Sequence, residues 1–182
     1  MDRLHAQLTR FEDAFPGFRT EIVEGNVVAS PVTPFHNKTI QMLWTLLEAQ
    51  LGQEWGFISD VAIPFSGDFE LCPDLALIPA AEQNRNLTCY PPELIELAVE
   101  VVSPSSVRTD YEVKYRQYAA RGIPNYLIFD PQEAHLVTLW NPGADGYLGR
   151  DMIPYGGKIT VDTTVRRLTI DTDRLPVDPD PS

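Results

Sequence analysis

The chain has 182 residues, 43% of them hydrophobic, and only two cysteines, Cys72 and Cys89. That length suits one domain burying roughly 70% of the surface its unfolded chain would expose, and two lone cysteines without a CxxC pair exclude a disulfide scaffold and a cysteine zinc site. The 26 acidic residues against 14 basic ones give a net charge of -12, a balance that repels nucleic acid at long range.

The opening stretch, MDRLHAQLTRFEDAF, is interrupted by charge every few residues and lacks the apolar segment of a signal peptide. No later run approaches the ~20 apolar residues of a membrane span, so a cytoplasmic protein without membrane contact is expected. Residues 20–30, TEIVEGNVVAS, read as a β-hairpin turning at Glu24-Gly25-Asn26. Helical spacing of Ile40, Leu43, Trp44, Leu47 and Leu51, after Pro34 and before Gly52, predicts a helix over 36–51. Strands are expected over 56–65, 74–79 and 94–102, separated by Gly-, Pro- and Asn-rich segments, in an order compatible with a meander. A second helix over 107–121 is opened by Ser103-Pro104-Ser105-Ser106 and closed by Gly122, and it leads into a strand over 125–130. Strand, helix and strand in short succession imply a right-handed crossover to a parallel neighbour. Further antiparallel strands are expected over 134–140, 146–153 and 165–170. The organisation is therefore one domain over 1–172 and a disordered acidic tail over 173–182. The fold class is α/β, a mixed sheet flanked by helices with extra antiparallel strands at both ends.

Two carboxylates interrupt apolar strands. In LAVEVV, residues 97–102, Glu100 shares one face with Ala98 and Val102 while Leu97, Val99 and Val101 take the other. Asp74, after Pro73, starts the apolar run LALI. A buried carboxylate must neutralise, pair or bind a cation, and two on neighbouring strands suit Mg²⁺, which takes oxygen ligands and often only one or two carboxylates. The plain alternatives are Asp74 as a turn cap and Glu100 paired with an arginine. Tyr111, Lys114, Tyr115 and Tyr118 form one helical stripe, which puts Lys114 among the aromatics that face the sheet. Such a lysine either snorkels to water or pairs with Asp110, or it reaches the Glu100 edge and stabilises charge on a phosphate. Residues 103–125 also hold Arg108, Lys114, Arg116 and Arg121 against Asp110 and Glu112, a local positive excess in an acidic chain. With a Debye length of about 8 Å at cellular salt, such a local basic surface can outweigh the total. No GxSxG elbow, phosphate loop or zinc-spaced histidines are present.

The run from EIVEGNVVASP through PDLALI and VEVVSPSS to DYEVKYRQYAARGIPNYLIFDP resembles the Uma-two family of restriction endonuclease-like proteins over about residues 18–150. The resemblance implies the PD-(D/E)xK nuclease-like fold, whose core of helix, three strands, helix and strand matches the order above. It makes Asp74 the first acid and Glu100 the second. The superfamily lysine two residues beyond the second acid is replaced by Val102, and the resemblance implies that Lys114 supplies it from the helix. Glu21 and His36 fall in matching stretches, Glu21 as a third metal ligand or an exposed strand acid, His36 as a phosphate contact or proton relay or a backbone-bonded helix-start residue. The expected protein is a Mg²⁺- or Mn²⁺-dependent endonuclease acting on DNA as a homodimer. Its rival is a catalytically silent binding or regulatory module of the same fold, favoured by the charge and by Val102.

Overall fold

In the computed structural model residues 3–14, 18–30 and 33–178 are described. Helix α1 (Arg3–Ala14) buries no side chain and is not among the elements expected from sequence, although Leu4, Leu8 and Phe11 stand at helical spacing. The hairpin follows as β1 (Arg19–Val23) and β2 (Asn26–Ser30), with Val23 opposite Asn26 across Glu24-Gly25. Both turn residues have positive φ, 51° and 72°, the type I′ geometry that matches strand twist and explains glycine at the second position. Helix α2 (Pro34–Glu48) is capped by Thr33, whose hydroxyl accepts from the His36 amide, and proline opens it where no amide partner is needed.

The expected strand over 56–65 is two strands, β3 (Trp55–Ile58) and β4 (Ile63–Ser66), which join different sheets. Asp60, at φ 52°, breaks the run between them, and its amide bonds to the Pro73 carbonyl. Next come β5 (Phe69–Leu71), β6 (Leu75–Pro79), the short α3 (Ala80–Gln83) and β7 (Leu97–Val101). The second helix runs over 107–120, with a π turn at Thr109–Lys114 before α4 (Tyr115–Ala120). Strands β8 (Asn125–Asp130), β9 (His135–Gly143), β10 (Gly146–Pro154), β11 (Lys158–Asp162) and β12 (Arg167–Asp171) complete the order.

Six strands form the central sheet in the order β10-β9-β8-β7-β6-β3, with β7 and β8 parallel as the crossover required and the other neighbours antiparallel. Both faces are covered. Ala76, Ala98, Val102, Tyr126 and Ile128 pack against Val113 and Tyr118 of the second helix and against Val23, Ile63 and Leu71 of a smaller sheet, β2-β1-β5-β4. On the other face Leu75, Leu77, Val99, Leu127 and Phe129 meet Leu43 and Leu47 of α2 and the β11-β12 hairpin. The mixed α/β architecture is thus the expected one, with β5 and β11 added.

Of the expected tail, residues 173–178 are described: Leu175 is buried in the second core and the Asp178 amide bonds to the Pro131 carbonyl. Residues 179–182 lie outside the described set. None of the described helices is long and apolar enough to cross a membrane.

Candidate active site

Asp74 stands immediately before β6 in phase with Ala76 and Ile78, and Glu100 lies in β7 in phase with Ala98 and Val102, so both acids face the second helix. The strands are antiparallel neighbours, which brings the two groups together: the Asp74 amide donates to Glu100 Oε2 at 3.4 Å, and the Val101 amide donates to Asp74 Oδ2 at 2.6 Å. Tyr118 OH holds the other Glu100 oxygen at 2.7 Å. From the helix Lys114, 1% exposed, places Nζ 2.9 Å from Glu100 Oε2, 3.2 Å from Glu21 Oε1 and 3.6 Å from Asp110 Oδ1. The stripe of Tyr111, Lys114, Tyr115 and Tyr118 therefore does face the sheet, and Lys114 does not snorkel. The π turn lies on the segment that carries Asp110 and Lys114, as such turns often do at functional sites.

Glu21 in β1 is buried, and Oε1 accepts from the Cys72 amide at 2.7 Å, so the exposed-acid alternative fails. His36, in the first turn of α2, is capped through its backbone and also sets Nε2 3.3 Å from Asp74 Oδ2, leaving Nδ1 buried without a partner. All five expected residues thus line or border one small cavity.

Two members of this cluster were missed. Arg19, two residues before Glu21 on the same strand face, pairs directly with Asp74 and approaches Glu100 and Asp60. The plain alternative of an acid paired with arginine is therefore part of the picture. Its signal was the i, i+2 spacing to Glu21 in a strand. Asp110, four residues before Lys114, is 1% exposed, accepts from Ser106 Oγ at 2.5 Å and leaves Oδ1 without a hydrogen bond. Sequence spacing offered the pair with Lys114 as the plain alternative; the pair forms, with both residues inside.

Four buried carboxylates, Glu21, Asp74, Glu100 and Asp110, face two permanent cations, Arg19 and Lys114, so full ionisation leaves an uncompensated negative excess. The titrations reflect it. Burial opposes ionisation of Asp74, but Arg19, then His36 and Lys114, hold its carboxyl well below the usual range. Burial pushes Glu100 well up against the pull of Lys114, and pushes Asp110 up to about 6 against the same ammonium. Burial also works against charged Lys114 and His36; Glu100 and Glu21 outweigh it at the lysine, and Asp74 outweighs it at the histidine, so both are raised.

The cavity between these groups is about 20 Å³, room for one water-sized body. Hard oxygen donors, surplus negative charge and a buried Asp110 oxygen that accepts no hydrogen bond fit a divalent cation. Among the described residues no three acidic, histidine or cysteine side chains already stand at metal-holding spacing, because Arg19 and Lys114 reach in between the acids.

Of the expected basic surface over 103–125, Lys114 is buried; Arg108, Arg116 and Arg121 are exposed, Arg108 paired with Glu24 and Arg121 bonded to the Phe65 carbonyl and Glu93.

Burial also separates the two cysteines. Cys72 lies beside Glu21 and its thiol is pushed up to about 12 by burial and that carboxylate, whereas Cys89 is exposed. Native protein at pH 8 is expected to react with a disulfide reagent at one thiol, the second following only on unfolding. Two thiols titrating at one rate in the native protein would contradict this placement.

The family Uma2, described as "Putative restriction endonuclease", matches residues 5–173. A similar solved structure is that of a "putative nuclease belonging to DUF820" from Anabaena variabilis. It is 14% identical, the alignment covers 78% of this chain and 79% of that one, and the TM-score is 0.63. At that identity the likeness shows the fold, a nuclease-like one. No curated protein matches the chain.

Proposed function

The chain belongs to the Uma2 family, and on that premise we propose that it is a Mg²⁺- or Mn²⁺-dependent endonuclease that hydrolyses phosphodiester bonds in DNA. The observation that carries this reading is the convergence of Asp74 and Glu100 from adjacent strands with Lys114 2.9 Å from Glu100. Asp74 and Glu100, with Glu21 beside them, would hold the cation, which when bound polarises a phosphoryl oxygen and lowers the pKa of its water. Lys114, kept ionised by Glu100 and Glu21, is the donor for charge developing on the phosphate. Tyr118 and the Val101 amide fix the two acids, and His36 sets Nε2 3.3 Å from Asp74. Val102, at the position of the superfamily lysine, is packed into the core, so the ammonium is supplied from the helix.

The test is cleavage of supercoiled plasmid and single-stranded DNA with Mg²⁺ or Mn²⁺. Asp74→Asn and Glu100→Gln should each cut about 100-fold more slowly or worse, the scale of losing one transition-state contact, and chelation should abolish cleavage by the wild type. Wild-type rates in both variants would overturn the reading. Cleavage of RNA but not DNA would overturn its substrate.

A further inference from the structure

Arg19 is the buried cation that the proposed chemistry does not use. Its side chain is 11% exposed; it contacts Asp74 directly, and Nη2 lies 3.6 Å from Glu100 and 3.9 Å from Glu21. Three of the four site acids therefore surround one guanidinium. Its hydrogen bonding is poor for such a nest: a guanidinium offers five donors in a planar fork, yet neither Nε nor Nη2 makes a hydrogen bond. Nε is also 3.3 Å from Asp60, whose side chain is 57% exposed, so a fourth carboxylate stands on the solvent side of the guanidinium.

We propose that Arg19 is a displaceable counter-ion, seated between Asp74 and Glu100 in the metal-free protein and turning toward Asp60 when a divalent cation is taken up. This rests on the metal-dependent reading above. Buried acids left without a cation are costly, so a site that spends time without metal needs a resident charge. A guanidinium bound to a single acid through one direct contact fills that role and is weak enough to exchange. The same occupancy explains why the acids do not already stand at metal-holding spacing.

The experiment is Mn²⁺ binding to the full chain, metal alone and no DNA, followed by electron paramagnetic resonance and calorimetry. Wild type should bind, and Arg19→Gln should bind roughly tenfold more tightly or better, since a positive charge competing at contact distance is gone. Equal or weaker binding by the variant, with binding by wild type intact, overturns the inference and leaves the metal reading standing. Binding by neither overturns both. If Arg19→Gln does not fold, wild type decides: the Arg19 Nε–H resonance, assigned with Arg19→Lys, should shift as Mg²⁺ saturates. A resonance that stays in place overturns the exchange.

Discussion

Replacing Lys114 with methionine is expected to cost about 3–5 kcal/mol of stability, the scale of stripping the partner from a buried charge, and to lower the melting temperature by roughly 6–20 °C for a chain of this size. Lys114 is the ammonium around which Glu21, Glu100 and Asp110 gather within 3.6 Å, and methionine keeps its volume while removing its charge. Glu100→Gln should behave differently. A neutral amide of the same shape leaves the ammonium beside Glu21 and Asp110, and burial opposes the charge it removes, so stability should change by about 1 kcal/mol or less. The double variant should recover part of what methionine loses, with a coupling of about 1–3 kcal/mol, because one acid fewer is left facing the gap. If the proposed function holds, all three variants should cut at least about 100-fold more slowly than wild type, so stability returns while cleavage does not. Urea unfolding of the four proteins measures this cycle. Strict additivity would mean that Lys114 and Glu100 do not sense each other, and an unchanged midpoint for Lys114→Met would mean that the ammonium is not buried as described.

Glu100 and Lys114 were legible in the sequence because each violates a period. A carboxylate inside LAVEVV breaks the apolar run of a doubly covered strand, and a lysine between tyrosines breaks an inward helical stripe. The sheet follows from the same periodicity: β6, β7, β8 and α2 lie where their apolar spacing put them, give or take two or three residues at the ends. What stayed hidden depends on contacts across the chain. Arg19 and Asp74 are 55 residues apart, and nothing in either segment names the other. Asp110 was legible as a helix partner of Lys114 but not as a buried member of the site, because helix spacing gives neighbours but not depth. The break at Asp60 was invisible because a left-handed aspartate leaves no composition signal, while the short β5 and the polar-interrupted β11 offered too few apolar positions to count. The basic surface was only partly legible for a related reason: charge sums along the chain do not reveal that Glu24 and Glu93 come from elsewhere to meet Arg108 and Arg121.

Ending the chain at Tyr155 should abolish cooperative folding, although every residue of the acid–lysine cluster lies upstream. The β11-β12 hairpin and the segment after it bury Ile159, Val161, Leu168, Ile170 and Leu175 against the face of the sheet opposite the site. At about 1.5–3 kcal/mol for each buried side chain, their loss is roughly 7–15 kcal/mol, as large as the whole stability of a domain, about 5–15 kcal/mol. It also strips the hairpin from the core that Leu127 and Phe129 share, leaving α2 as the helix on that face of the sheet. The hairpin further ties down α2: the Gln50 side chain donates to the Thr169 carbonyl and accepts from its amide, both at 2.8 Å, just beyond the helix whose first turn presents His36 to Asp74. Weakened packing on the far face is thereby transmitted through α2 to the site itself. The shortened protein should show no sharp thermal transition, bind a hydrophobic dye and lack dispersed methyl resonances. A transition within about 5 °C of the full chain, which for a domain of this size corresponds to a loss of only about 1–2 kcal/mol, would mean that the hairpin is an appendage and that the sheet holds the acids without it.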